Sequence, residues 1–198
     1  MSSRRHVHTR SIQVEAFVRD DGLWELEAVL IDTKSRDFSL ATGVRPAGEP
    51  VHQMHLTLTI DSRLQVLDAW VRSARVPYPG YCDTIGADYR QLIGLNLARD
   101  FRRQVRERLG GTRGCTHITE LTDVLPTAAV QAFAGEVYPP SDTAVEPAAA
   151  GHAAVQPRPF QLDRCHALRI DGPAVARFYP RWFRDSAQKA ASADPVTD

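Results

Sequence analysis

The chain has 198 residues, of which 43% are hydrophobic, and this length and composition are typical of one domain with a buried core. Lysine and arginine together number 24, as do aspartate and glutamate, so no net charge attracts nucleic acid or an acidic membrane. No apolar run reaches the ~18 residues of a membrane span. The basic N-terminus lacks the apolar segment of a secretory signal, and three cysteines are too few for a disulfide framework. We therefore expect a cytoplasmic protein without nucleic-acid or membrane partners.

Four segments of the first half alternate apolar and polar residues with the period of a β-strand. They are residues 11–18, 23–31, 52–60 and 64–74. The Asp21-Gly22 pair predicts a hairpin between the first two strands, and residues 32–50 are predicted to form a long loop. Four successive strands predict an antiparallel meander. Its buried face is expected to carry Trp24, Leu26, Leu56, Leu58 and Ile60.

From residue 83 onward the apolar spacing becomes that of helices. Residues 83–93 predict a short helix, and the spacing of Leu97, Phe101, Val105 and Leu109 predicts a second one that ends at Gly110-Gly111. A third helix follows from residue 118, and Pro126 either kinks it or opens a fourth. Strands followed by helices indicate an α+β domain over residues 10–138, with the helices packed on one face of the sheet.

The ends of the chain differ from this domain in composition. Residues 1–9 are polar and are expected to be flexible, and the proline- and alanine-rich residues 139–159 indicate a linker. Residues 160–184 are apolar again and are predicted to be an arm that docks on the domain or on a second copy in a homodimer. Residues 185–198 are expected to form a disordered tail.

The densest cluster of reactive residue types is the run from Gly114 to Glu120, which reads G-C-T-H-I-T-E. Cys115 and His117 lie at the start of a predicted helix, where free N–H groups stabilise a thiolate. Glu120 follows His117 by three residues and can share its helix face. The run therefore predicts a nucleophile or a metal ligand at Cys115. The alternative is a small buried cysteine beside a hydrogen-bonded histidine.

The other candidate residues carry weaker signals. Cys82 follows a turn rich in proline and glycine and precedes Asp83, at the start of a predicted helix. His52 and His55 point to opposite faces of a regular strand, so they would not share one metal. Cys165 and His166 are adjacent, and adjacent side chains rarely point at one atom. We expect Cys82, Cys115 and His117 to converge, and His52 to join them if they bind a metal.

Four stretches resemble the family called domain of unknown function 2889. They read D-G-L-W-E-L-E-A-V-L-I-D-T (residues 21–33), P-V-H-Q-M-H (50–55), G-C-T-H-I-T-E-L (114–121) and C-H-A-L…Y-P-R-W (165–182). The family label implies no activity. An association of such proteins with gene neighbourhoods for the breakdown of aromatic compounds implies a small aromatic substrate.

The order of elements in the second half is similar to that of NifU-type iron–sulfur scaffolds, and this implies a NifU/SufE-like fold. On that similarity, His52 takes the place of the scaffold's first cysteine and Cys82 that of its second. Cys115 and His117 take the place of the final pair, although here they are separated by one residue, and the Leu-Pro-Pro chaperone-binding motif is missing. The implied ligand set, His52, Cys82, Cys115 and His117, suits tetrahedral zinc better than iron.

These features favour a small enzyme, a lyase or hydrolase acting on a small organic compound, because no redox-cofactor motif is present. A metal or a thiolate–histidine pair at Cys115 and His117 would carry the reaction, with Glu120 or Asp83 as acid or base. The alternative is a non-enzymatic metal or iron–sulfur carrier. A third reading is a structural or partner-binding protein whose cysteines and histidines belong to its core.

Overall fold

Four long antiparallel strands form the main sheet in the computed structural model, which describes residues 2–137, 158–159 and 161–185. The strands are β1 (His8–Val18), β2 (Trp24–Lys34), β5 (Pro50–Ile60) and β6 (Val66–Arg75), and they lie side by side in the order β1-β2-β5-β6. The predicted loop between β2 and β5 contains a separate small hairpin, β3 (Phe38–Leu40) and β4 (Gly43–Arg45). The meander is therefore confirmed, with a two-stranded insertion.

One face of the sheet forms the core. Even-numbered residues of β2 lie directly opposite even-numbered residues of β5, because the strands pair in register over most of their length. The resulting apolar rows are Trp24–Ile60, Leu26–Leu58, Ala28–Leu56 and Leu30–Met54. All eight side chains are buried, and this confirms the predicted core face.

The helices follow the sheet and cover this face. A 3-10 helix (Thr84–Leu92), α1 (Phe101–Leu109), a short 3-10 turn (Gly111–Arg113) and α2 (Thr116–Phe133) come in order. The first 3-10 helix packs on β6, while α2 packs on β1, β2 and β5 and also on α1. The α+β class is thus confirmed. Of the predicted stripe, Phe101, Val105 and Leu109 are buried on α1, whereas Leu97 is buried in the segment before this helix begins. Helix α2 packs on three of the four main strands.

Helix α2 lies along β2 from one end of the core face to the other. At one end the rings of Phe133 and Trp24 are 4.6 Å apart. The 16 steps from His117 to Phe133 span about 24 Å of helix, close to the ~26 Å of strand between Trp24 and Asp32. Pro126 lies within α2 without ending it. The first turn of α2 therefore lies at the Asp32 end of the sheet.

Strands β1 and β2 are longer than their sequence patterns indicate. β1 begins at His8, within the segment expected to be flexible, and β2 continues past residue 31 to Lys34. The longer strands include Arg10 and Asp32. Among the described residues, no helix is long and apolar enough to cross a membrane.

The chain divides into two compact units, Met1–Pro139 and Pro140–Asp198. The described part of the second unit holds α3 (Pro173–Phe178) and a 3-10 turn (Pro180–Trp182), with Leu162 and Val175 buried. Docking of this arm and a homodimer stay predictions. The predicted linker and tail lie almost wholly outside the described residues.

Candidate functional site

A polar row continues the apolar rows of the core face. Arg10, Asp32 and His52 lie directly opposite one another across β1, β2 and β5. Asp32 occupies the position that follows Leu30 in the alternation of β2, and only 3% of its surface is exposed. A buried carboxylate is costly unless it is paired, so its neighbours determine what this end of the sheet can do.

Asp32 accepts hydrogen bonds on both of its oxygens. Arg10 donates through Nε to Oδ1 (2.8 Å) and through Nη2 to Oδ2 (2.7 Å). His8 Nε2 donates to Oδ1 at 2.9 Å, and His52 Nδ1 donates to Oδ2 at 3.1 Å. Burial by itself raises the pKa of Asp32, but the hydrogen bonds from Arg10 and His8 outweigh it and lower the pKa to about 2. Asp32 is therefore a fixed negative charge.

His117 brings α2 to this row. Its Nε2 lies 3.7 Å from Asp32 Oδ2, and its ring stacks on that of His52 with centroids 3.7 Å apart and planes at 27°. Burial is the main cause that lowers the pKa of both histidines. The charge of His117 lowers the pKa of His52 further, and the charge of Arg10 does the same for His117. Both rings are therefore neutral at pH 7.

Cys115 lies on the other side of the His117 ring. Its Sγ is 3.8 Å from His117 Nδ1, and the residue is half-buried immediately before α2. The imidazole of His117 therefore lies between the two other groups. Its Nδ1 faces Cys115 Sγ, and its Nε2 faces Asp32 Oδ2. A nucleophile, a base and a group that orients the base are the elements of nucleophilic catalysis.

The buried hydroxyl of Tyr89 fixes the backbone of Cys115. It accepts a hydrogen bond from Cys115 N–H (3.0 Å), donates one to the Cys115 carbonyl (2.8 Å), and lies 2.8 Å from Thr119 Oγ1. Burial raises the pKa of Tyr89 to about 12, so the hydroxyl stays protonated. The position of the sulfur is therefore set from the first 3-10 helix as well as from α2.

Gly114 allows the chain to approach α1 closely before Cys115. A side chain at this position would place its Cβ only 2.4 Å from the carbonyl oxygen of Leu109, which is closer than any non-bonded contact tolerates. The glycine of the G-C-T-H run is thus required by the packing of the backbone.

The remaining predicted site residues have different surroundings. We call Arg10, Asp32, His52, Cys115 and His117 the cluster. Glu120 forms an ion pair with Arg10 and so joins its edge. Cys82 is half-buried in the turn before the first 3-10 helix, and the exposed Asp83 caps that helix without a side-chain hydrogen bond. Cys165 is exposed in the second unit, as is His166.

The structure brings together only part of the predicted metal-ligand set. His52 and His117 do come together, but the third ligating group within 4.8 Å of both is Asp32. Neither Cys82 nor Cys115 belongs to such a group of three among the described residues. The sulfur of Cys115 faces Nδ1 of His117, whereas Asp32 faces Nε2.

Sequence reasoning missed Asp32, Arg10 and Tyr89. The sequence pattern predicts a loop that begins at Asp32, although this residue continues the alternation of Trp24 to Leu30 by one more step. Arg10 likewise continues the alternation of β1, since it precedes Ile12 by two residues. The period-two alternation alone is enough to assign Asp32 and Arg10 to their strands. Nothing in the local sequence, however, links Tyr89 to Cys115, 26 residues later.

A family model described as "Protein of unknown function (DUF2889)" matches residues 8–131, a range that includes every residue of the cluster. No curated protein and no solved structure matches the chain. The resemblance to this family is thus confirmed, while the similarity to NifU-type scaffolds gains no support.

Proposed function

Since the chain belongs to the DUF2889 family, whose function is unknown, its activity must be inferred from the site, and we propose that it is a cysteine-dependent enzyme acting on a small organic compound. The observation that carries the proposal is the order of groups around His117. Cys115 Sγ lies 3.8 Å from Nδ1, and the buried carboxylate of Asp32 lies 3.7 Å from Nε2.

The charge of Asp32 favours the tautomer of His117 in which Nε2 carries the proton. The lone pair of Nδ1 then faces Cys115 and can accept the thiol proton. Since burial and the charge of Arg10 lower the pKa of His117, the resting imidazole is a neutral base. His117 is thus a general base, and Asp32 positions it.

Hydrolysis is the reaction that this arrangement favours. The Cys115 sulfur attacks the carbonyl carbon of an ester as its proton passes to His117, and the leaving group departs with that proton. Water, deprotonated by His117, then cleaves the thioester and restores the thiol. The first N–H groups of a helix have no carbonyl partner within the helix, and Cys115 does not cap those of α2 with its side chain. They would supply donors for the developing oxyanion. A lyase reaction, in which His117 removes a substrate proton, is the second form of the proposal.

The three cysteines are free, and a reducing compartment would keep Cys115 as a thiol. A cytoplasmic location is therefore part of the proposal. An aromatic substrate is a further part, and aryl esters are accordingly the first compounds to test.

The test is the reaction of the full chain with an activated aryl ester, p-nitrophenyl acetate. We expect a burst of p-nitrophenol and an acetyl group on Cys115, located by mass spectrometry of peptides. His117→Ala should slow this acylation by about 100-fold or more, the usual contribution of a general base. His55→Ala, a change on the opposite face of β5, should leave the rate unchanged.

Cys165→Ser removes the exposed thiol, so any remaining burst must come from another residue. Acetylation of Cys165 alone, or equal rates for the wild type and His117→Ala, would refute the proposed function.

A further inference from the structure

Three side chains that could bind a metal, from two strands and one helix, meet where the polar row contacts α2. Asp32, His52 and His117 each offer one oxygen or nitrogen atom, and these atoms lie within 4.8 Å of one another. They come from β2, β5 and the first turn of α2. We propose that these three side chains bind a divalent transition-metal ion, for which zinc is the probe.

The distances to Asp32 fit such an ion. In a tetrahedral zinc site with bonds of ~2.0–2.1 Å, neighbouring ligand atoms lie about 3.3 Å apart. Asp32 Oδ2 lies 3.1 Å from His52 Nδ1 and 3.7 Å from His117 Nε2. Shifts of a few tenths of an ångström around Oδ2 therefore bring these pairs to the required spacing.

Binding requires two local adjustments. The proton of His52 Nδ1, now donated to Asp32, moves to Nε2 so that the Nδ1 lone pair can bind the ion. The stacked rings of His52 and His117 must also open beyond their 27° angle, because an ion lies in the plane of each imidazole that binds it. Neither change alters the fold of β5 or α2.

The surroundings of Asp32 favour its use as a ligand. Its second oxygen, Oδ1, is held by Arg10 Nε and His8 Nε2, and such outer contacts orient a ligating carboxylate. Arg10 also contacts Oδ2, but the ion pair between Arg10 and Glu120 offsets its charge. Two histidines and one carboxylate leave a position of the ion open, as in catalytic zinc sites and non-haem iron sites.

The ion would also regulate the reaction proposed above, and this part of the inference rests on that proposed function. A metal bound to Nε2 of His117 leaves the imidazole proton on Nδ1, which then cannot accept the proton of Cys115. Metal binding and catalysis by Cys115 are therefore alternative uses of one histidine.

The first experiment is zinc binding to the full chain after treatment with a chelator. We expect one zinc per chain for the wild type, measured by metal analysis after dialysis, with affinity from competition against a chromogenic chelator. His52→Ala should weaken binding by more than the ~10–100-fold that loss of an outer contact causes. Asp32→Asn gives a second test that preserves the shape of the ligand, with circular dichroism as the check on folding.

Two control variants separate this site from its alternatives. His55→Ala should bind zinc like the wild type, since His55 lies on the other face of β5 and contacts Gln53 and Arg72. Cys115→Ser should also bind like the wild type. The proposed site of Asp32, His52 and His117 would be overturned if the wild type bound no zinc or if Cys115→Ser lost binding.

The second experiment adds zinc to the acylation assay. We expect zinc to block acylation of Cys115 in the wild type but not in His52→Ala. If zinc binds through Asp32, His52 and His117 but acylation never depends on His117, the proposed enzyme function fails and the metal site stands. If acylation depends on His117 and zinc does not bind, the metal site fails alone.

Discussion

The two ends of the core face are built from the same strands and the same helix, yet they differ in chemistry. At one end, Trp24 of β2 packs against Phe133 of α2, and both are buried. At the other end, Asp32 of β2 meets His117 of α2, and each of the two takes part in polar contacts. The alternation of β2 is continuous between the ends, since every second residue from Trp24 to Asp32 is buried.

The comparison shows that the two ends are stable for different reasons: the apolar end through burial alone, and the polar end only while its buried charge is paired. Burying a large aromatic side chain is favourable on its own. Burying a carboxylate is favourable only when each of its oxygens is paired, and Asp32 needs Arg10, His8 and His52 for that purpose. Titratable groups gathered in this way, with shifted pKa values, are typical of functional sites.

The largest effect that we expect is on the apolar end. Phe133→Ala should lower the free energy of unfolding by about 3–5 kcal/mol, because it removes a fully buried ring and leaves a cavity. Urea denaturation followed by circular dichroism measures the change. Phe17→Ala, which truncates a ring that is 45% exposed on β1, should cost less than about 1 kcal/mol. Equal losses would contradict the assignment of the core to the Trp24–Phe133 end.

The next largest effect that we expect is a loss of stability in acid, which arises at the polar end. Asp32 has a folded-state pKa of about 2, below its ordinary value of 3.8, so its contribution is present above pH ~3.8 and is lost as the pH falls through about 2. This difference is worth about 2 kcal/mol. The lowered pKa values of His52 and His117 act in the same direction, because the unfolded chain takes up protons first as the pH falls below 6.5.

Urea unfolding over a series of pH values checks this profile. Asp32→Asn should flatten the lower part of the profile and keep the fall below pH 6.5. His55→Ala should leave the lower part unchanged, because burial lowers the pKa of His55 from its ordinary value of 6.5 and this imidazole therefore affects only the upper part. An acid dependence that is identical in the wild type and Asp32→Asn would show that Asp32 does not stabilise the fold in this way.

The smallest effect that we expect is at Tyr89. Tyr89→Phe removes the hydroxyl that accepts the Cys115 N–H and donates to its carbonyl, at a cost of about 1 kcal/mol. Because this hydroxyl positions the sulfur, acylation of Cys115 should slow as well, while the dependence on His117 persists. Tyr81→Phe, which alters a side chain that is 82% exposed, is the control. An unchanged acylation rate in Tyr89→Phe would limit Tyr89 to a role in stability.

The order of elements and the core were accessible from local sequence. Period two in β2 and β5 predicts which side chains are buried, because successive residues of any strand point to opposite faces. The helical spacing of Phe101, Val105 and Leu109 likewise gives the buried side of α1. The pattern predicts that β1 begins after Arg10 and that β2 ends before Asp32, whereas both residues lie within these strands. The reason is that a charged residue at the end of an alternating run is also typical of a loop.

The sequence by itself determined the α+β class, the buried face of each main strand and the helix that follows Cys115, because these follow from spacing within a single element. Only the tertiary structure decided which partners reach His117. Arg10, Asp32 and His52 meet through the register of three strands, and α2 adds His117 because its length matches that of the core face. Such contacts join residues up to 110 positions apart, as for Arg10 and Glu120, and local patterns carry no information about distances of that kind.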